Sequence, residues 1–341
     1  MLSWPKFAIR RSHELFPNGY SMKAIQVTGP RRLQLTEAPV PEPGEGEVLV
    51  KLEALSVCGS DMMAYRHPQP EEDYPLGQGI PCHECAGTIA QSQIAEWPVG
   101  RRVIYLPALN LNGGAEYVVA EPETLVSLPD EGDMGQWLMC QPWGTVLYAL
   151  EKVGPVAGKN VAVLGQGCIG LLFTMTLKQM GARKIIAIDP NENRLALSRK
   201  LGANLAINSS RVAPEKVVRE VFGNQGADMV VDASGDATAL DLCVGMARMH
   251  GTLVLFSIPE EKQVTFDYLT AISKQLTMVG TVSATCEAPA KPIQDAVDRQ
   301  AKGEVDLSWL ITHRFDFGEA PAGYELYASR EDGLIKLVLD V

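Results

Sequence analysis

The sequence predicts an α/β fold in two parts, a doubly wound parallel sheet and a separate β-rich unit. Three observations carry this prediction. A chain of 341 residues is longer than one ordinary hydrophobic core supports, and suggests about two domains. Its texture changes near residue 134, from short strand-like runs parted by turns to apolar strands alternating with helix-length segments. In that second half a glycine-rich turn directly follows one apolar strand and opens a helix, the signature of a phosphate-binding βα unit.

From Met22 to about Ala120 the runs MKAIQVT, RLQLTEA, EVLVKLEAL, RRVIYL and AEYVVA read as strands, separated by turn material such as PVPEPGEGE. In EVLVKLEAL, Val48, Val50 and Leu52 alternate with Glu47, Lys51 and Glu53, which predicts one buried and one wet face. Further on, NVAVLG, KIIAID, DMVVDAS, TLVLFS and LTMVGT are short, β-branched and apolar, and are spaced by segments such as CIGLLFTMTLKQM and NENRLALSRKLGA. Strands apolar on both faces and alternating with helices predict βαβ units and a parallel sheet covered on both sides. After residue 288 come a helix (PIQDAVDRQAKG), a strand near WLITHRF, a helix (GEAPAGYELYAS) and a last strand, LIKLVLDV. This tail does not extend the parallel series and is expected to return to the first domain. The expected division is an extension over 1–21, a β-rich domain over 22–145, a dinucleotide-binding domain over 146–287 and a return to the first domain over 288–341.

A net charge of -11 argues against nucleic acid or an anionic membrane as partner, because both need clustered Lys and Arg. No segment reaches the roughly 18 continuous apolar residues of a membrane span. A small molecule or a dinucleotide is the better-matched ligand. The seven cysteines are odd in number and scattered, unlike a secreted disulfide framework, so a reducing, cytoplasmic setting is expected. Residues 1–21 carry Lys6, Arg10 and Arg11 but no apolar core of a secretory signal; they read as a loose extension, with a cleaved organellar presequence as the alternative.

In VAVLGQGCIG, Gly165, Gly167 and Gly170 have the G-x-G-x-x-G spacing. Gly165 would permit the tight turn, Gly167 the approach of a pyrophosphate, and Gly170 the packing of helix on strand. The helix start at Cys168 and Ile169 supplies free N–H groups and a positive dipole end. The next strand ends in Asp189, 19 residues beyond Gly170, where a carboxylate can accept both ribose hydroxyls. Its charge would repel a 2′-phosphate, and Pro190 and Asn191 offer no compensating arginine, so NAD is favoured over NADP. Arg194 on the following helix can reach the adenine or stand in solvent.

The stretch GIPCHECAG, Gly79 to Gly87, holds Cys82, His83, Glu84 and Cys85 in succession. It can be half of a structural Cys-x-x-Cys site, a redox dithiol, two catalytic metal ligands, or a strand carrying soft residues. Upstream, SVCGSDMMAYRH carries Cys58, Ser60 and Asp61. A thiolate, an imidazole and a carboxylate are ligands that hold zinc while leaving one position open. Zinc held this way acts as a Lewis acid on an alcohol oxygen, and a hydroxyl two residues after a ligand is well placed to begin a proton path. The plainer alternative is a packed Cys58 and a His83 satisfied by a carbonyl. Tyr65 and Trp143 can line a substrate pocket or belong to the core.

With these residues in hand, the chain from Met22 onward resembles the zinc-dependent medium-chain dehydrogenases, the superfamily of alcohol, polyol and threonine dehydrogenases. The MKAIQVTGPRRLQL start, CGSD, the His-Glu pair, GGAEYVVAEPETLVSLPD, the glycine run, VVDASG and the ending from ITHRF to SREDGLIKLVLD carry the resemblance. It implies a GroES-like catalytic domain formed by both chain ends, a Rossmann domain, and substrate in the cleft. It also implies that Cys58 and His83 are the first two zinc ligands, that Glu84 is the adjacent glutamate which itself binds zinc in polyol dehydrogenases, that Ser60 bonds the substrate alcohol, and that Asp61 orients His83. Three positions depart from the family. Only PALNLN stands where a structural zinc lobe needs four cysteines, so one catalytic zinc and no structural zinc are expected. Gln141 stands where a third cysteine or glutamate ligand belongs, leaving Glu84, a water, Gln141 itself or the neighbouring Cys140 to complete the set. Met63 replaces the histidine that ends the proton relay, for which His67 is the nearest substitute.

The expected activity is NAD-dependent, zinc-assisted oxidation of a secondary alcohol, polyol or sugar-like, to a ketone. The alternatives are a zinc-free quinone or enone reductase of the same superfamily and a non-catalytic NAD(H)-binding protein. The resemblance further implies a homodimer paired through the sheet edge near LVLFSIP and LTMVGT.

Overall fold

The computed structural model describes residues 20–107, 111–259, 263–281, 290–329 and 333–341. Of the expected extension over 1–21 only Tyr20 and Ser21 lie inside this range, and Cys286 and residues 108–110 of PALNLN lie outside it. The chain divides into two compact units, residues 1–141 with 288–341, and residues 142–287.

In the first unit β1 (Ser21–Gly29) and β2 (Arg32–Pro39) form an antiparallel pair. A seven-stranded sheet is built from β3 (Val48–Val57), β4 (Glu84–Gln91), β5 (Arg102–Tyr105), β6 (Tyr117–Ala120), β7 (Leu125–Ser127), β14 (Ile311–Asp316) and β15 (Lys336–Asp340). Its order is β14-β15-β3-β4-β5-β7, with β6 also pairing with β3, so strands from both chain ends share one sheet. The alternation expected in β3 holds for the residues that define it: Val48, Val50 and Leu52 are buried, Lys51 is exposed, and Glu47 and Glu53 are partly exposed. It is broken at Leu49, which is buried, and ends at Ala54 to Val57, all buried, where β3 is central between β4 and β15. The core of this unit gathers Ile25, Val50, Leu52, Leu55, Ile89, Val103, Tyr324 and Leu337. Its helices are α1 (Asp61–Arg66), α2 (Met134–Leu138), α9 (Lys291–Ala301) and α10 (Ala320–Ser329), and the chain leaves the unit within α3 (Cys140–Val153).

The second unit is a parallel six-stranded sheet of β8 (Asn160–Leu164), β9 (Lys184–Asp189), β10 (Leu205–Asn208), β11 (Ala227–Asp232), β12 (Ala247–Leu255) and β13 (Thr277–Gly280). The order β10-β9-β8-β11-β12-β13 is the doubly wound Rossmann arrangement, reversing direction between β8 and β11. The helices α4 (Cys168–Gln179), α5 (Glu192–Lys200), α6 (Pro214–Val221), α7 (Ala239–Met246) and α8 (Tyr268–Ser273) connect successive strands. β8 is buried at all five positions, as a strand covered on both faces must be. β10, LAIN, is the strand that composition does not announce: it is short, lies at the sheet edge and is half exposed, so no apolar run marks it. The α/β class and the sheet built from both chain ends agree with the sequence prediction.

Candidate active site

Sheet register brings the first candidate residues together. β3 and β4 are antiparallel with Ser56 opposite Glu84, so Cys58, two residues beyond Ser56, and His83, one residue before Glu84, emerge at the same end of the sheet. The donor atoms of Cys58, His83 and Glu84 all lie within 4.8 Å of one another, the one such group of three among the described residues. Donors sharing a tetrahedral zinc stand about 3.4–3.6 Å apart, so a contraction of roughly 1 Å would bring the three onto one ion. The donor set of one thiolate, one imidazole and one carboxylate fits zinc.

Asp61 ties two of these residues together. Its fully buried carboxylate accepts the Cys58 backbone N–H through Oδ2 at 2.8 Å and meets His83 Nδ1 through Oδ1 at 2.7 Å. A carboxylate at Nδ1 keeps the proton there and leaves the Nε2 lone pair for a metal. Ser60 Oγ lies 3.4 Å from that Nε2, placing a hydroxyl beside the ligand atom. Burial works against a charged ring, but the Asp61 carboxylate and the Cys58 sulfur hold the His83 imidazole well above its ordinary pKa. A metal at Nε2 needs that nitrogen unprotonated, so metal affinity is expected to fall as pH falls.

Glu84 is 3% exposed and its Oε2 is ion-paired with Lys336 Nζ on β15, itself 1% exposed. Sequence reasoning missed Lys336. Its signal was a lone cation inside the apolar run LIKLVLDV, which in a buried strand demands an anion. Gln141 turns its amide on the same region, Nε2 donating to the His83 carbonyl at 2.8 Å. Cys140 is not brought into the donor group; it is completely buried, and burial pushes its thiol up far beyond the ordinary range. Met63 lies inside α1 and His67 caps its C-terminal end.

Cys82 and Cys85 do not join the cluster either. Side chains alternate along a strand, so Cys85 leaves the face that Glu84 occupies. The two sulfurs stand 3.9 Å apart, and Cys85 Sγ packs against Gly113, donating to its carbonyl at 3.7 Å. The hydrogen bond with Cys85, reinforced by burial, holds the Cys82 thiol well above its usual value, a poor state for a redox nucleophile. Tyr65 and Trp143 are core residues: the Tyr65 hydroxyl donates to Glu325 at 2.9 Å and Trp143 Nε1 to Thr176 at 3.0 Å.

In the second unit the glycine turn has the shape a dinucleotide needs. Gly165 has φ 86°, and a Cβ there would lie 2.7 Å from the Ala233 carbonyl oxygen; at Gly170 a Cβ would lie 1.7 Å from the oxygen of Gly165. Gly167 faces open space, and no side chain caps the N-terminus of α4, whose first turn begins at Cys168 and Ile169. Asp189 is buried at the end of β9 and braces this turn itself, accepting Gln166 N–H at 2.7 Å and Asn191 N–H at 2.8 Å. Arg194 Nη1 stands 4.0 Å from the same carboxylate. A second buried acid at the carboxyl edge, Asp232 at the end of β11, was not singled out from VVDASG; it accepts the hydroxyls of Ser234 at 2.8 Å and Ser257 at 2.7 Å.

Comparison with known proteins points the same way. The zinc-binding dehydrogenase family model matches residues 168–299, and the alcohol dehydrogenase GroES-like domain model matches residues 44–130. L-threonine 3-dehydrogenase of Bacillus subtilis (strain 168) is 28% identical over 332 residues, covering 89% of this chain and 94% of that protein. Human sorbitol dehydrogenase is 24% identical over 341 residues, covering 91% and 93%. The crystal structure of 2R,3R-butanediol dehydrogenase from Bacillus subtilis superposes with a TM-score of 0.80 at 23% identity, covering 94% of this chain and all of that one.

Proposed function

Since the chain belongs to the superfamily of zinc-dependent medium-chain dehydrogenases, and is an oxidoreductase of that superfamily, we propose that it oxidises a secondary alcohol, polyol or sugar-like, to a ketone with NAD and one catalytic zinc. The observation that carries this reading is the convergence of Cys58, His83 and Glu84, with Asp61 on the far nitrogen of His83 and Ser60 beside the near one. Cys58, His83 and Glu84 would hold the metal. Bound there, zinc would supply Lewis acidity to an alcohol oxygen, and a nicotinamide would supply the hydride acceptor. Asp61 keeps the proton of His83 on Nδ1. Ser60 Oγ accepts the proton of the substrate hydroxyl and passes it outward. Lys336 neutralises Glu84 in its buried setting.

The N-terminus of α4, which no side chain caps, and the carboxylate of Asp189 support a dinucleotide, and the acid supports NAD over NADP. A homodimer is supported by β13, which ends its sheet, and by the apolar residues Tyr268, Leu269, Ile272 and Met278, exposed on β13 and on α8 just before it. No helix among the described residues is long and apolar enough to cross a membrane, and the scattered cysteines support a cytoplasmic setting.

Elemental analysis and a substrate screen test the proposal. One zinc per chain, lost on Cys58→Ala, with reduction of NAD by secondary alcohols, is the expected result. A zinc-free protein, or one that reduces no NAD across mono-alcohols, diols and polyols, would reject it.

A further inference from the structure

Among the described residues, no donor meets the side-chain oxygen of Gln141. The residue is 7% exposed, and its Nε2 donates to the carbonyl of His83 at 2.8 Å. That orientation is chemically fixed, because a carbonyl only accepts and the amide must turn its NH₂ toward it. Oε1 therefore occupies the other arm, about 2.2 Å from Nε2 and so within about 5 Å of the His83 carbonyl oxygen. It is fully buried and accepts no hydrogen bond among the described residues. Native proteins leave few buried acceptors unmet, since each loses its hydration without recompense. This one lies against the backbone of a ligand residue.

A donor count identifies what can satisfy it. A hydroxyl carries one proton. In the proposed reaction the proton of the reacting hydroxyl goes to Ser60 Oγ, which stands at His83 Nε2. It cannot serve Gln141 as well. Lys336, the buried cation of the site, turns its ammonium to Glu84 and to the Val57 carbonyl and makes no hydrogen bond to Oε1. A substrate supplies the missing donor if it carries a hydroxyl on a carbon next to the one oxidised. A neutral amide suits this task, since it accepts a hydroxyl proton without adding charge beside Glu84.

We propose that Gln141 Oε1 accepts the second hydroxyl of a vicinal diol or polyol, and is the residue that makes the site prefer such substrates over mono-alcohols. The proposal rests on the reading of Cys58, His83 and Glu84 as a catalytic metal centre. It predicts a specificity that the three ligands alone do not.

The test uses the full-length zinc-loaded protein with 2,3-butanediol and 2-butanol, which share a carbon skeleton and differ by one hydroxyl. Wild type is expected to favour the diol about 10–100-fold in kcat/KM, the fold-change that follows when the analogue leaves a buried acceptor unmet. Gln141→Leu is expected to bring the ratio to within about threefold by slowing the diol alone, with zinc content unchanged. The diol, and not 2-butanol, should raise the melting temperature of wild type, and Gln141→Leu should abolish that rise. An unchanged ratio, an equal loss on both alcohols, or loss of zinc from the variant would overturn the proposal, the last by making Gln141 a ligand. Should the variant fail to fold, absence of diol preference in wild type overturns it and its presence, with the diol-specific melting shift, supports it. Should wild type oxidise neither alcohol, the proposed function fails on these substrates, and the melting shifts decide the role of Gln141 separately.

Discussion

Replacing Asp61 by asparagine tests the logic of the metal site most directly, because the carboxylate does two things that an amide cannot do together. Oδ1 meets His83 Nδ1 at 2.7 Å and Oδ2 accepts the Cys58 N–H at 2.8 Å, so both neighbours present donors. An asparagine has one acceptor and one donor arm. Turned one way, its NH₂ faces the Cys58 N–H and a buried donor goes unmet. Turned the other way, its NH₂ donates to His83 Nδ1, which forces the imidazole proton onto Nε2, the nitrogen a metal needs. Either state forfeits one charge-assisted hydrogen bond at a side chain that is 0% exposed, a loss of about 1.5–3 kcal/mol. Losing the partner of a histidine ligand costs about 10–100-fold in metal affinity, or about 1.4–2.7 kcal/mol, which agrees with that range. Competition between the protein and a chelating dye for zinc measures it. Zinc affinity within about twofold of wild type in a variant with an unchanged circular dichroism spectrum would refute the claim that Asp61 sets the histidine tautomer.

Other residues carry equally specific expectations. Lys336→Met leaves the buried Glu84 unpaired and should cost about 3–5 kcal/mol in urea unfolding of the metal-free protein, most of it recovered by adding Glu84→Gln; a double variant as unstable as the single would show that the two groups do not depend on each other. Asp228 works against its partial burial: hydrogen bonds from Asn160 N–H at 2.7 Å and Arg248 Nε at 2.6 Å hold its carboxyl below the usual range. A depressed carboxyl pKa stabilises the fold above the unfolded value near 4 and stops doing so as pH falls through the folded one. Asp228→Asn should therefore cost about 1–2 kcal/mol at pH 7 and progressively less as pH falls below about 4, and a penalty independent of pH would contradict this account. Leu269→Lys with Met278→Lys, both exposed in wild type, should weaken the proposed dimer at least about tenfold by sedimentation equilibrium, whereas an unaltered association would place the interface elsewhere.

Features that depend on near neighbours along the chain can be read from the residues alone. The strands of the parallel sheet, the glycine turn at Gly165 to Gly170 and the acid at Asp189 are legible because apolar runs, positive φ and strand-end position are set within a few residues. Cys58, Ser60, Asp61, His83 and Glu84 are legible as candidates because their residue types suit one ion. Edge strand β10 escaped because a half-exposed four-residue strand leaves no apolar signature. Which of those candidates meet is set by the folded structure. The register of β3 against β4 places Cys58 beside His83, and the pairing of β15 with β3 delivers Lys336 to Glu84, 252 residues away. It also keeps Cys140 out, turns Cys85 to the opposite face from Glu84, and points the Gln141 amide nitrogen at a backbone carbonyl, so that its oxygen meets no donor among the described residues. Composition and spacing encode donors and acceptors one residue at a time. Whether each is paired depends on strand register between distant segments, which local periodicity does not carry.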